Sequence, residues 1–384
     1  MAAAPAGEGG WDESHAPLVA RIRDEILAAP DQRLTFARFM ELALYEPGLG
    51  YYRQHDDRAT RSGDFLTAPE MDPIFASALA AQLEEMWQRL GRPEAFTLRD
   101  HGAGTGRLGD DLRAALEASG SALVEGFRYE PVEIGPERLP AESVDPQRPF
   151  IGCLLANELV DALPVHRLEA GDDGELHEIG VGWHDGWFVD TPMAISDGAQ
   201  AALDSSGVRP GAGQRIDVRP AAGSWLRAAT APLERGWAVL IDYGASAAEL
   251  LRRMPEGTVR TYRRHHAGDD PLLAVGATDL TAHVDFQALE RSAAEAGLDS
   301  LGRTSLAEFL AGLEIGERLV ELRGTPGTTA ERYLTARSAV LRLLDPRQLG
   351  GFGVLVLGRG VPAAPPLRGL SFRLERAGRR EATA

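Results

Sequence analysis

Three glycines spaced two apart, Gly102, Gly104 and Gly106, constrain this chain more than any other feature. They follow Phe96-Thr97-Leu98-Arg99, which reads as a short strand. Leu108, Leu112, Ala115 and Leu116 come next at helical spacing, and Gly120 supplies a helix stop. A strand, a bare turn and a helix N-terminus bring backbone N–H groups up to a ligand, because glycine tolerates positive φ and close approach. The next strand, Gly126-Phe127-Arg128-Tyr129, is expected to end at Glu130, an acid placed to accept hydrogen bonds from ribose hydroxyls.

The glycines also fit a dinucleotide pattern over Gly104–Gly109. Asp100 argues against that reading, since an acid just ahead of the turn would crowd an anionic pyrophosphate. It suits a cationic ligand. S-adenosylmethionine carries a sulfonium, an amino group and a ribose but no phosphate, so it is the expected cofactor. An NAD-dependent dehydrogenase is the reading this disfavours.

The net charge of −17 argues against nucleic acid as a partner and leaves room for a basic protein target. All 40 basic residues are arginine, which removes P-loop lysines, Schiff bases and lysine nucleophiles. Cys153 is the single cysteine, so neither a disulfide framework nor a cysteine zinc site is available. Residues 1–14 have no leader-like pattern and no apolar run reaches membrane length, which makes the cytoplasm the default expectation.

Along the chain, 15–92 reads as a helical extension with two turn-rich loops, and 93–165 with 237–360 as an α/β core. Thr35 and Asp72 are placed to cap helices. Residues 166–236 read as an inserted β-rich subdomain with an Asp185-Gly186 hairpin, and 361–384 as a flexible tail. The apolar run Phe150–Ala156 is a buried parallel strand that delivers Asn157, Glu158 and Asp161 to the crevice at its carboxyl end.

Several of these motifs occur in a fixed order: Leu44–Pro47, Gly50-Tyr51-Tyr52, Gly63–Glu70, Asp100–Gly106, Ala156–Glu158 with Asp161–His166, Ile241–Gly244, Tyr262–His266 and Asp279–Phe286. Together they resemble the MidA-like family of bacterial and mitochondrial methyltransferases. The resemblance implies a class I S-adenosylmethionine-dependent methyltransferase fold, Rossmann-like, covering about residues 15 to 360. It also implies arginine methylation of a protein substrate, with a respiratory complex I subunit as the acceptor of its mitochondrial members. The sequence departs from that family at Asp100, where Glu is usual, and at His101, where an apolar residue is usual. Pro131, Pro136, Pro140, Pro146 and Pro149 leave little room for a full helix and third strand between Glu130 and Phe150. That segment motivates the alternative of a non-catalytic, methyltransferase-like assembly protein.

For the chemistry, Glu158 is the first candidate to orient a guanidinium and accept its proton, with Asp161 second and Asp64 reaching in from the N-terminal loop. Asp100, Gly102, Gly104, Gly106, Glu130, Asn157 and Thr67 are the candidate cofactor contacts. The competing structural role for Glu158 and Asp161 is capping of a helix beginning near Leu159. His265, His266, His283 and Asp285 fit no recognised ligand spacing, and no metal is expected. The oligomeric state is open, a homodimer included.

Overall fold

The computed structural model describes residues 14–54, 67–133, 145–263, 266–268 and 270–373. Its centre is a sheet of six strands in the order Asp299–Ser305, Gly353–Arg359, Leu233–Asp242, Phe150–Asn157, Phe96–His101, Phe127–Val132. The last four run parallel, and Gly353–Arg359 is antiparallel to both neighbours. Every residue of Phe96–His101 is buried, as a central strand covered on both faces requires. Helices Pro73–Arg89, Arg107–Ala118, Leu306–Gly312 and Ala330–Leu344 supply one apolar layer. Pro220–Thr230 and Phe286–Glu295 supply the other.

Among the described residues no strand lies beyond Phe127–Val132, which forms the sheet's edge. Residues 134–144, within the proline-rich segment, fall outside the description. Pro131 pairs opposite Asp100, and its missing N–H is tolerated because the strand is peripheral.

A second sheet draws on distant parts of the chain. Arg33–Thr35 pairs with Leu176–His184, which also pairs with His166–Ala170 and Trp187–Met193, and Arg215–Val218 closes one side. Asp185 (φ 48°) and Gly186 (φ 87°) make the tight turn between the two hairpin strands. Thr35 accepts the Arg38 N–H (3.1 Å) and so caps helix Phe36–Tyr45, which packs with helix Ala16–Ala28 beside this sheet. Asp72 does the same for Pro73–Arg89, accepting from Ile74 N–H at 2.9 Å. No helix among the described residues is long and apolar enough to cross a membrane.

Candidate functional site

A cleft of about 1110 Å³ opens at the carboxyl ends of strands Phe96–His101 and Phe150–Asn157, the expected crevice of an open α/β sheet. Its floor is the glycine turn. Gly102, Gly104 and Gly106 have φ of 76°, 58° and 74°, a region that side-chain-bearing residues rarely adopt. Asp100 and Asn157 stand at the strand ends, with Thr67 across the cleft.

Asp100 is 4% exposed and accepts the Tyr129 hydroxyl at 2.6 Å. Burial pushes its carboxyl up to about 7, against the lowering effect of the Tyr129 bond. Tyr129 lies over Gly109, where an added Cβ would stand 2.3 Å from the ring. The glycine at 109 therefore lets the tyrosine reach Asp100.

Glu130 requires a correction of place. It does not line the cleft. Arg99 grips it at 3.0 and 2.7 Å, and Arg148 takes its other oxygen. Both Arg99 and Glu130 are buried, Arg99 completely. The strand continues through Pro131 to Val132, so the acid at its end is Glu133. Glu133 lines the cleft and accepts the Gly104 N–H at 2.9 Å. The pairing register, not a signal in the sequence, reveals it: Val132 pairs with His101, so the next residue is level with the first glycine.

On the opposite side stand Glu158 and Asp161. Glu158 has φ 51°, a strained value for a residue with a side chain. Its Oε1 accepts from Asn157 Nδ2 (3.0 Å) and Ala68 N–H (3.2 Å). Burial, then the charge of Asp161, pushes its carboxyl up to about 8. Asp161 accepts the Tyr243 hydroxyl at 2.6 Å, and burial raises it as well. No helix begins at Leu159 for them to cap; Glu158 instead binds the first N–H of the short helix Ala68–Met71. Asp242 instead accepts the Val160 and Asp161 N–H groups at 3.0 and 3.1 Å, and Arg219 binds the carbonyls of Asp161, Leu163 and Ala282. The loop is thus pinned from below while its acids face the cleft.

Three buried polar atoms on the cleft wall have no partner among the described residues: Asn157 Oδ1, Asp161 Oδ1 and His101 Nε2. Buried polar atoms are normally satisfied, so these fit a bound polar ligand. His101 meets the Trp225 ring at 5.9 Å, and burial drives its imidazole down to about 4, leaving it neutral. Trp225 escaped the sequence reading because it falls in the segment read as an inserted β-rich subdomain, where the structure has helix Pro220–Thr230. Beyond the acids the cleft is walled by Tyr45, Tyr52, Tyr243 and Tyr262, with Asp279 accepting the Tyr52 hydroxyl at 2.8 Å. Asp64 and His265 lie outside the described residues. His283 packs on Tyr243 (4.9 Å) and Asp285 caps helix Phe286–Glu295.

A family model described as "Putative S-adenosyl-L-methionine-dependent methyltransferase" matches residues 78–304. Among curated proteins, the mitochondrial protein arginine methyltransferase NDUFAF7 homolog of Drosophila melanogaster is 27% identical, the match spanning 94% of this chain and 89% of that one. The human mitochondrial protein arginine methyltransferase NDUFAF7 is 26% identical, with 83% and 78% covered. A Burkholderia thailandensis crystal structure bound to S-adenosyl-homocysteine superposes with a TM-score of 0.81 at 32% identity, covering 97% of this chain and 98% of that one. The sheet is accordingly that of a class I methyltransferase with added elements. The cytoplasmic expectation is overturned by these relatives, which are named as mitochondrial. It had rested on the lack of a leader-like pattern, with no positive signal behind it.

Proposed function

This chain belongs to the family of S-adenosyl-L-methionine-dependent methyltransferases, and from that premise we propose that it methylates arginine on a protein substrate. The observation that carries the reading is Glu158 with Asp161: two carboxylates beside the glycine turn, facing a tyrosine-walled cleft with no cation bound to either side chain among the described residues. A planar cation fits between them, held by paired hydrogen bonds and aromatic faces.

The cofactor, when bound, supplies a methyl group already activated on a positive sulfur. The chain's task is then alignment, water exclusion and proton handling. We assign Glu133 to the ribose hydroxyls in place of Glu130, and Asp100 and Asn157 to the polar end of the methionine moiety, with the glycine turn and Thr67 around them. Asp161, fixed by Tyr243, orients the guanidinium. Glu158, in the anionic form that a bound guanidinium favours, accepts the proton released at the attacking nitrogen; burial, which pushes its carboxyl up to about 8 in the ligand-free protein, makes that anion the readier acceptor. A respiratory-complex subunit is the acceptor that the family resemblance supplies.

Glu158→Gln tests the assignment. It should keep S-adenosyl-homocysteine binding, measured by calorimetry, and lose transfer of tritiated methyl to an arginine peptide. Comparable turnover would remove Glu158 from the mechanism. The non-catalytic alternative gains nothing from the site, whose glycine turn, acids and unpartnered polar atoms are all in place.

A further inference from the structure

The second sheet brings another ionisable pair to the same cleft. His166, at the start of strand His166–Ala170, lines the cleft wall near Asp161 in sequence and is partly exposed there. Its Nδ1 lies 2.6 Å from Glu178 Oε1 on the neighbouring strand Leu176–His184. Glu178 is wholly buried. Its second oxygen accepts the Ser196 N–H at 2.8 Å. The pairing register sets Glu178 opposite Leu168, so Glu178 and His166 share a sheet face as diagonal neighbours.

A buried carboxylate against Nδ1 fixes the tautomer. In the neutral imidazole Nδ1 then carries the hydrogen and donates it, which leaves the lone pair on Nε2. Burial alone would raise Glu178, but the bonds from His166 and Ser196 outweigh it and hold the carboxyl below its usual range. Glu178 therefore stays charged. The charged groups that line the same cleft from neighbouring elements include Arg38 and Glu41 on helix Phe36–Tyr45, which pair with each other at 2.8 Å, and Asp161 on the preceding loop. Asp217, on the adjacent strand Arg215–Val218, is bound to Thr258.

We propose that His166 is the base that carries the reaction's proton out of the cleft, with Glu178 as its positioning residue; this rests on the arginine reading above. Each turnover converts a guanidinium and a sulfonium into a methylated guanidinium, a neutral thioether and one proton. The new C–N bond uses the nitrogen lone pair, and the S–C electron pair stays on sulfur. Glu158 takes the proton at the nitrogen and must be emptied before the next cycle. Nε2 of His166 receives it across the cleft water and releases it to solvent at the mouth.

The test uses full-length protein, tritiated S-adenosylmethionine and a synthetic arginine-rich peptide. His166→Ala should bind S-adenosyl-homocysteine within twofold of wild type, lose at least tenfold in kcat at pH 7, and regain rate with millimolar imidazole. Nitrogen-15 NMR of the wild-type imidazole, assigned by its loss in His166→Gln, should show Nδ1 protonated and Nε2 bare. Glu178→Gln should lower kcat with KM unchanged and mix the two imidazole tautomers in the same spectrum. An unchanged kcat in His166→Ala, a loss that imidazole does not restore, or a protonated Nε2 at neutral pH would each overturn the role of His166 alone. A wild type that binds S-adenosyl-homocysteine yet methylates no arginine would instead overturn the reading beneath it.

Discussion

Asp100 and Glu130 sit on neighbouring parallel strands, one pairing position apart, and both are almost completely buried. Glu130 lies in the interior of the sheet edge, where Arg99 and Arg148 hold its two oxygens. Asp100 lies at the rim, where a tyrosine hydroxyl is its hydrogen-bond partner and no arginine is in contact with it among the described residues. Glu158 and Asp161 resemble Asp100 in having no arginine bonded to the side chain among the described residues: an amide and a backbone N–H meet Glu158, and a hydroxyl meets Asp161, which feels Arg219 only through its charge. The interior acid is neutralised within the fold, whereas the rim acids are left to be neutralised by protons or by a cationic ligand. Arginine is the only basic side chain with a permanent charge in this lysine-free chain, so where it is placed separates scaffold acids from working ones.

This contrast breaks most forcefully at Arg99. Arg99→Leu should leave buried Glu130 to Arg148 alone, strand the Pro146 and Arg148 carbonyls that Arg99 binds, and cost about 3 kcal/mol of stability, read from urea unfolding midpoints. A variant within about 1 kcal/mol of wild type would mean that the interior acid does not need its buried arginine. Next comes Glu158→Gln, which should reduce transfer by roughly a hundredfold or more while leaving the fold intact, because the amide replaces a carboxyl that burial already disfavours as an anion. Equal melting temperatures with near-equal kcat would place Glu158 among the scaffold acids. Tyr129→Phe removes the one hydroxyl donated to Asp100 and should weaken S-adenosyl-homocysteine binding about fivefold, roughly 1 kcal/mol, in calorimetry. Unaltered affinity would show that Asp100 does not need that bond.

The smallest effect is a drift with pH. Asp100 and Glu158 have folded-state values near 7 and 8, above their ordinary 3.8 and 4.5. Between those limits the folded protein binds more protons than the unfolded chain, so their contribution to stability is full at low pH and declines as pH rises from about 4 to 8. Thermal unfolding of the ligand-free protein across that range should show the decline, and Glu158→Gln should flatten its upper part. A decline identical in both proteins would assign it elsewhere.

Much of the architecture was legible because local signals were strong. The glycine turn, the Asp72-Pro73 helix start and the Asp185-Gly186 hairpin each carry their own backbone chemistry. The apolar run before Asn157 could only be a buried strand. The acid that lines the cleft, Glu133, lies three residues past the expected one because Pro131 reads as a strand stop, and only the sheet order reveals that an edge strand can carry it. The pairing of Arg33–Thr35 with Leu176–His184 was invisible for a different reason: its partners are nearly 150 positions apart and neither announces the other. The same holds for His166 and Glu178, whose relation is a matter of register.

Strand Gly353–Arg359 is synthesised after its two neighbours yet lies between them, hydrogen-bonded to Leu233–Asp242 on one side and Asp299–Ser305 on the other. During translation the parallel strands therefore wait with an open flank, and Asp299–Ser305 has no place in the sheet until the wedge arrives. A ribosome stalled near residue 345 would carry a sticky, hydrogen-bond-hungry margin along Leu233–Asp242, which makes the arrival of Gly353–Arg359 the point at which this flank of the sheet stops needing protection.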